Sequence, residues 1–179
     1  GRGWVPWNDD SRFKLDIIAH PEFGLRLTGK SGPWAVGLLA SDDRAPGEVL
    51  PPSDAHAGER ATFTIARVSR DILDQSSIGA TYTDREFGGG YNRVGGVDAN
   101  LKLGQNWRLQ GQAVTSSTVD VISGTRSGGP GYKADLERFG RKFNLQSLYV
   151  DYSPGFNTET GFVNRVDIRE QMINASYYF

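Results

Sequence analysis

The chain has 179 residues, with 20 Lys and Arg against 21 Asp and Glu, a net charge of −1 and no cysteine. Near-neutral charge without a basic stripe argues against nucleic acid as a partner. The lack of Cys excludes a disulfide framework and a thiolate metal site. No run of about 18 apolar residues exists to cross a bilayer as a helix, but a membrane barrel needs only every second residue apolar, so the 37% hydrophobic content leaves that architecture open.

Residues 1–23 read as an irregular N-terminal arm. Gly1–Ser11 holds Trp4, Pro6 and Trp7 without periodicity. Arg12–Ala19 is a candidate strand of weak pattern, broken by His20-Pro21-Glu22. The chain opens with neither Met nor a signal peptide, so a mature or excised segment is expected. From Gly24 to Phe179 the period of two typical of strands takes over. Leu25 and Leu27 oppose Arg26, Thr28 and Lys30. Ser31-Gly32 turns the chain, Pro33 opens the next strand, and Trp34, Val36 and Leu38 share a face. Asp42–Glu59 is a loop. Phe63 and Ile65 oppose Thr62 and Thr64 in Ala61–Arg70. After a short link at Asp71–Gln75, Ile78, Ala80 and Tyr82 oppose Gly79, Thr81 and Thr83. Glu86–Tyr91, with three glycines, is predicted as a loop.

Asn92–Ser117 is the clearest hairpin. Val97, Ala99, Leu101 and Leu103 form one face of its first strand, and Asp98, Asn100 and Lys102 the other. Gly104-Gln105 turns the chain. In the second strand Trp107, Leu109, Gly111 and Ala113 oppose Arg108, Gln110 and Gln112. Thr118–Pro130 is predicted as a loop with flexible tips at Gly88-Gly89-Gly90 and Gly128-Gly129. Tyr132, Ala134 and Leu136 then oppose Lys133, Asp135 and Glu137. Gly140-Arg141 turns the chain into Lys142–Tyr152, whose alternation slips near Ser147 and predicts a bulge. Ser153–Arg165 is a loop, and Val166–Phe179 the last strand.

Short links at Ser31, Asp71, Gly104 and Gly140 alternate with longer loops at Asp42, Glu86, Thr118 and Ser153, as outer-membrane barrels require. Ile173, Ala175, Tyr177 and the terminal Phe179 alternate with polar residues. That pattern is similar to the signal by which the barrel-insertion machinery accepts a final strand. Nine strands are visible and Arg12–Ala19 would make ten. The fold class is therefore all-β: an antiparallel up-and-down β-barrel of outer-membrane type, of about 8–10 strands, complete or part of a larger barrel.

Candidate sites follow from the two faces. Arg93, Asp98, Asn100, Lys102, Arg108, Gln110, Gln112, Lys133, Asp135 and Glu137 are expected to line a lumen largely filled by side chains. Trp34, Tyr82, Val97, Leu101, Trp107, Leu109, Tyr132, Tyr177 and Phe179 are expected to face lipid or form aromatic girdles. His20 and His56 lack partner motifs for catalysis or metal binding. The acidic pairs Asp42-Asp43, Asp71 with Asp74, and Asp84 with Glu86 lack EF-hand spacing. No enzyme activity, cofactor or metal is expected.

Arg26-Leu27-Thr28-Gly29-Lys30-Ser31-Gly32-Pro33-Trp34 resembles a hairpin of a family of large predicted bacterial outer-membrane proteins, in which a carbohydrate-binding-like domain precedes a β-rich C-terminal region of unknown function. Ser77–Phe87, Tyr91–Trp107 and Ser153–Val163 are similar to further blocks of that region. The resemblance covers most of 24–179 and implies location in the Gram-negative cell envelope and architecture rather than activity. The carbohydrate-binding domain is not among these residues, and the family's barrel region is usually longer. The expectation is an outer-membrane barrel, or barrel segment, acting as anchor, scaffold or narrow transport element. Its partners would be the lipid bilayer and other subunits at any open sheet edge. The alternative is a soluble extracellular β-sheet module, either a subunit of a surface assembly or a glycan binder stacking sugars on Trp4, Trp7, Tyr91 and Phe156.

Overall fold

The computed structural model describes residues 21–161, 163 and 165–179. The candidate strand Arg12–Ala19, Trp4, Trp7 and His20 lie outside the described residues. Nine strands run in chain order: β1 Gly24–Ser31, β2 Trp34–Asp43, β3 Ala61–Ile72, β4 Ser76–Phe87, β5 Gly90–Leu103, β6 Trp107–Val119, β7 Arg126–Arg138, β8 Phe143–Tyr152 and β9 Ile168–Tyr177. Each pairs antiparallel with its neighbour in sequence, giving one up-and-down sheet ordered β1 to β9. The sheet is not closed: among the described residues β1 and β9 remain edges.

Register follows the alternation of the sequence. In the central hairpin Val97 pairs with Ala113, Leu101 with Leu109 and Leu103 with Trp107, while Asp98 pairs with Gln112 and Lys102 with Arg108. Directly opposed residues share a face, so apolar side chains collect on one side. A one-residue slip would move every one of them to the other side.

Several connections differ from expectation. The Glu86–Tyr91 loop is a two-residue turn, because β4 runs to Phe87 and β5 starts at Gly90. Gly88 and Gly89 both have positive φ, 57° and 78°, as a tight hairpin between right-twisted strands demands. Thr118–Pro130 shrinks to residues 120–125. Gly128 and Gly129 are therefore not loop tips but lie inside β7. A Cβ on Gly128 would sit 2.4 Å from the Ser116 carbonyl, so close backbone approach, not flexibility, requires the glycine. Ser147 carries no bulge, for it pairs in continuous register with Leu136 and Ile173. The Asp42–Glu59 loop contains a single helical turn, α1 Ala45–Glu48.

Connections at one end span residues 32–33, 73–75, 104–106 and 139–142; those at the other span 44–60, 88–89, 120–125 and 153–167. Three of the four at the second end are longer than any at the first. β9 runs toward the short-turn end, in the same direction as β1.

The core is small and lies off-centre. The buried apolar residues are Ala61, Phe63, Tyr152 and Phe156, all near the long-loop end. Phe23, Leu25, Leu27, Trp34, Val36, Ile78, Val97 and Ile173 are exposed.

Candidate functional site

The sheet has an open face and a covered face. On the open face Val36, Val68, Ala80, Val97, Ala113 and Tyr132 form one continuous cross-strand row. The adjacent row holds Trp34, Ile78, Ala99, Gly111, Ala134 and Tyr149. Leu101, Leu109, Leu136 and Ile173 lie further toward the short turns. Val97 is 58% exposed, Ile173 60% and Tyr132 46%. Every predicted lipid-facing residue on a strand lies on this face. Phe179 follows β9, its ring edge-on to Tyr177 at 5.4 Å. Toward the short turns two arginines sit beside indoles: Arg70 lies 5.2 Å from the Trp34 ring and Arg138 5.7 Å from that of Trp107. Between the larger side chains the small ones, Ala80, Ala99, Gly111 and Ala113, leave an apolar trough of about 730 Å³.

Nearer the long loops the same face turns charged. Arg93 donates from Nη2 to Glu86 at 2.6 Å and from Nε to Asp84 at 3.1 Å. Asp151 accepts from Arg169 at 2.8 Å and from the Tyr149 hydroxyl at 2.8 Å. Arg93 thus does not join Asp98: it lies five residues away, an odd number, and so points to the opposite face.

The other nine predicted lumen residues do share the covered face. They form three cross-strand rungs: Asp98, Gln112 and Lys133; Asn100, Gln110 and Asp135; Lys102, Arg108 and Glu137. Arg108 donates to Asn100 at 3.1 Å, and Lys102 to Gln75 at 2.7 Å. The strongest contact was not foreseen. Arg67 forms a bidentate pair with Asp98, at 2.6 and 2.8 Å, and donates to Thr81 Oγ1 at 2.6 Å. A Cβ on Gly79 would sit 2.7 Å from Arg67 Nη2 and 3.0 Å from Asp98 Oδ2, so the glycine lets the pair lie directly over β4. Its sequence signal was available: Arg67 shares a side of β3 with Phe63 and Ile65 and ends their apolar run.

Closer to the long loops the covered face is buried under Ser153–Gly161, with aromatic rings and satisfied polar groups side by side. Phe156 is buried and stacks on Tyr152 at 5.3 Å. Asn92 is fully buried; its amide donates to Thr118 Oγ1 at 2.8 Å and to the Asn157 carbonyl at 3.2 Å, and its Oδ1 accepts from Glu159 N–H at 2.9 Å. Arg85 reaches Glu159 at 2.6 Å, and Thr160 reaches Thr83 at 2.7 Å. The segment therefore crosses β4, β5 and β6. In β8 Leu148, Val150 and Tyr152 lie on the covered face by register, and Tyr152 meets the segment through Phe156. That contact removes Phe156 from the expected sugar-stacking set, since its ring is packed inside.

Asp42, Asp43, Asp71, Asp84 and Glu86 of the acidic pairs are engaged within the chain. Asp42 accepts from the N–H groups of Glu22 and Phe23, at 3.0 and 2.7 Å, and from Arg60 at 2.9 Å. Asp43 accepts from Ala45 N–H at 3.0 Å, and Asp71 pairs with Lys30 at 2.7 Å. His56 Nδ1 lies 3.0 Å from Glu59. Among the described residues no three His, Asp or Glu side chains converge as metal ligands. Comparison with protein-family models, curated proteins and solved structures found no match.

Proposed function

We propose that this chain is the wall, or part of the wall, of an outer-membrane β-barrel that serves as an anchor, scaffold or narrow conduit. The observation that carries this reading is an exchange of character between the two faces. Over the half of the sheet nearest the short turns, Trp34, Ile78, Val97, Tyr132 and Ile173 are exposed on one face, and the Arg67–Asp98 pair is largely withdrawn from solvent on the other. Over the other half, the Arg93–Glu86 pair is exposed on the open face, and Phe63, Tyr152 and Phe156 are buried on the other beside the Arg85–Glu159 pair. A soluble sheet keeps one apolar side inward along its whole length. A strand passing from hydrocarbon into water must exchange sides, since lipid rewards outward apolar residues only within the membrane. From Val97 to Leu103 the band runs six residue steps, about 20 Å along the strand at ~3.3 Å per residue, which at a strand tilt of ~40° is ~15 Å of height within a belt of ~25 Å. Arg70 on Trp34 and Arg138 on Trp107 stand where headgroups would meet the lower edge.

In this reading the Arg67–Asp98 pair and the Ser153–Gly161 segment fill the inside, which favours an anchor or a narrow path over a wide pore. The test is extraction from envelope fractions. The protein should require detergent and migrate faster on gels when unheated. Release by salt or alkali, with no heat-dependent shift, would refute it.

A further inference from the structure

We propose that the apolar trough on the open face holds one membrane phospholipid, with its phosphate on Arg70 and an acyl chain along the floor of Ala and Gly. The site rests on the membrane reading given above.

The trough encloses about 730 Å³, a size typical of ligand cavities, ~300–1,000 Å³. Its floor is built of small side chains from β4 to β7: Ala80, Ala99, Gly111, Ala113 and Ala134. Trp34 stands at its β2 end and Tyr149 at its β8 end. The fold does not require the glycine at 111. A Cβ there would meet only the Lys133 carbonyl, at 3.9 Å, which is ordinary contact. Gly128 differs, since a carbonyl occupies the space beside it. A glycine inside a strand weakens it, and where its own backbone surroundings leave room it marks the close approach of something else.

One cation borders the trough. Arg70 shares a cross-strand row with Trp34, Ile78, Ala99 and Gly111, so it lies on the open face. It is exposed, and its guanidinium lies 5.2 Å from the centre of the Trp34 ring. Among the described residues Arg70 makes no ion pair. The adjacent Asp71 points to the other face and is engaged by Lys30 at 2.7 Å. The indole therefore steadies the guanidinium at the rim and leaves its charge uncompensated. From Arg70 to Gly111 is three strand spacings, ~14 Å at ~4.8 Å each.

That combination fits an anion joined to a hydrocarbon chain. A guanidinium grips phosphate oxygens through two parallel N–H donors. The chain then covers a floor that offers it only methyl and methylene contacts. A polypeptide laid in the same place would leave its own N–H and C=O groups unpaired in an apolar setting. In the membrane reading Arg70 stands at headgroup level on the short-turn side, so the lipid comes from that leaflet. A zwitterionic head would bring a second cation toward the guanidinium, and like charges repel. The site thus prefers a head of net negative charge.

The test places the full chain in nanodiscs holding equal amounts of phosphatidylglycerol and phosphatidylcholine with the same acyl chains. Native mass spectrometry then counts the lipid that stays on the protein. The expected result is a single retained phosphatidylglycerol, enriched about tenfold over phosphatidylcholine, the worth of one charge-assisted hydrogen bond. Arg70→Gln should keep a lipid and lose the enrichment. Gly111→Leu and Ala99→Leu fill the trough with atoms that a bilayer tolerates, and should lose the retained lipid of either kind. Circular dichroism of the strands checks that each variant folds. Equal retention of the two lipids by the parent would overturn the proposal. So would full retention in both leucine variants, or a dimer mass in place of a lipid adduct. Release of the chain by salt or alkali would refute the membrane reading and the site together. A chain that needs detergent yet retains no lipid would refute the site alone.

Discussion

The Arg67–Asp98 pair provides the sharpest energetic test of the covered face. Replacing Asp98 by Ala removes two charge-assisted hydrogen bonds, of 2.6 and 2.8 Å, and leaves Arg67 bonded to Thr81. Breaking a fully buried pair costs ~3–5 kcal/mol. Here the side chains retain 26% and 12% exposure, so water partly compensates the orphaned guanidinium. We expect a loss of about 2–3 kcal/mol, read by chemical unfolding followed through the strand signal in circular dichroism. Gly79→Ala should cost less than Asp98→Ala, because the new methyl meets the ends of two flexible side chains, which can shift while keeping both charges paired. Arg67→Met/Asp98→Leu should recover to within about 1 kcal/mol of the parent, since neither charge is then stranded. A cost below about 0.5 kcal/mol for Asp98→Ala, or a double variant as poor as the sum of the singles, would show that the pair is not coupled as drawn.

Three further outcomes are expected. Val97→Lys should cost about 2–4 kcal/mol in a bilayer but stay within ~0.5 kcal/mol on a soluble surface, so lipid-reconstituted unfolding separates the two readings. Phe156→Ala should cost about 3 kcal/mol and open the Ser153–Gly161 segment to limited proteolysis; unchanged cleavage would mean that the ring does not anchor it. The Asp120 carboxyl accepts from the backbone and hydroxyl of Ser123, which hold its pKa below the ordinary range. Such a group stabilises its turn above the unfolded value of ~3.9 and loses that contribution as pH falls through its folded pKa. Protection of the Ser123 amide from hydrogen exchange should therefore decline on acidification below pH ~4, and Asp120→Ala should remove the pH dependence.

Strand positions, the turns at Gly32 and Gly104 and the two-sided central hairpin were legible because each depends on a local alternation. What escaped depends on contacts distant in sequence. Arg85 and Glu159 are 74 residues apart, and Asn92 and Glu159 are 67; no local pattern announces that a loop will lie across β5. Gly128 and Gly129 read as a flexible tip because glycine punctuates loops, whereas here the Ser116 carbonyl and the Ser153 side chain occupy the space their side chains would take. Arg93 was grouped with Asp98 by charge, when parity places it on the other side. The Ser147 slip was a real signal given the wrong cause: the strand changes surroundings, not register.

Every strand pair in the sheet joins neighbours along the chain. Among the described strands the backbone therefore never has to bring distant segments together to lay down the ladder. The largest gaps it must span are residues 44–60 and 153–167, and doubling such a gap costs only about 0.6 kcal/mol. Low contact order of this kind favours rapid assembly for a β protein, one hairpin zipping onto the last. It also makes the hairpin a module. Adding or deleting a β-hairpin changes the width of the sheet by two strands and preserves the direction of both ends, so wider and narrower versions lie one duplication apart.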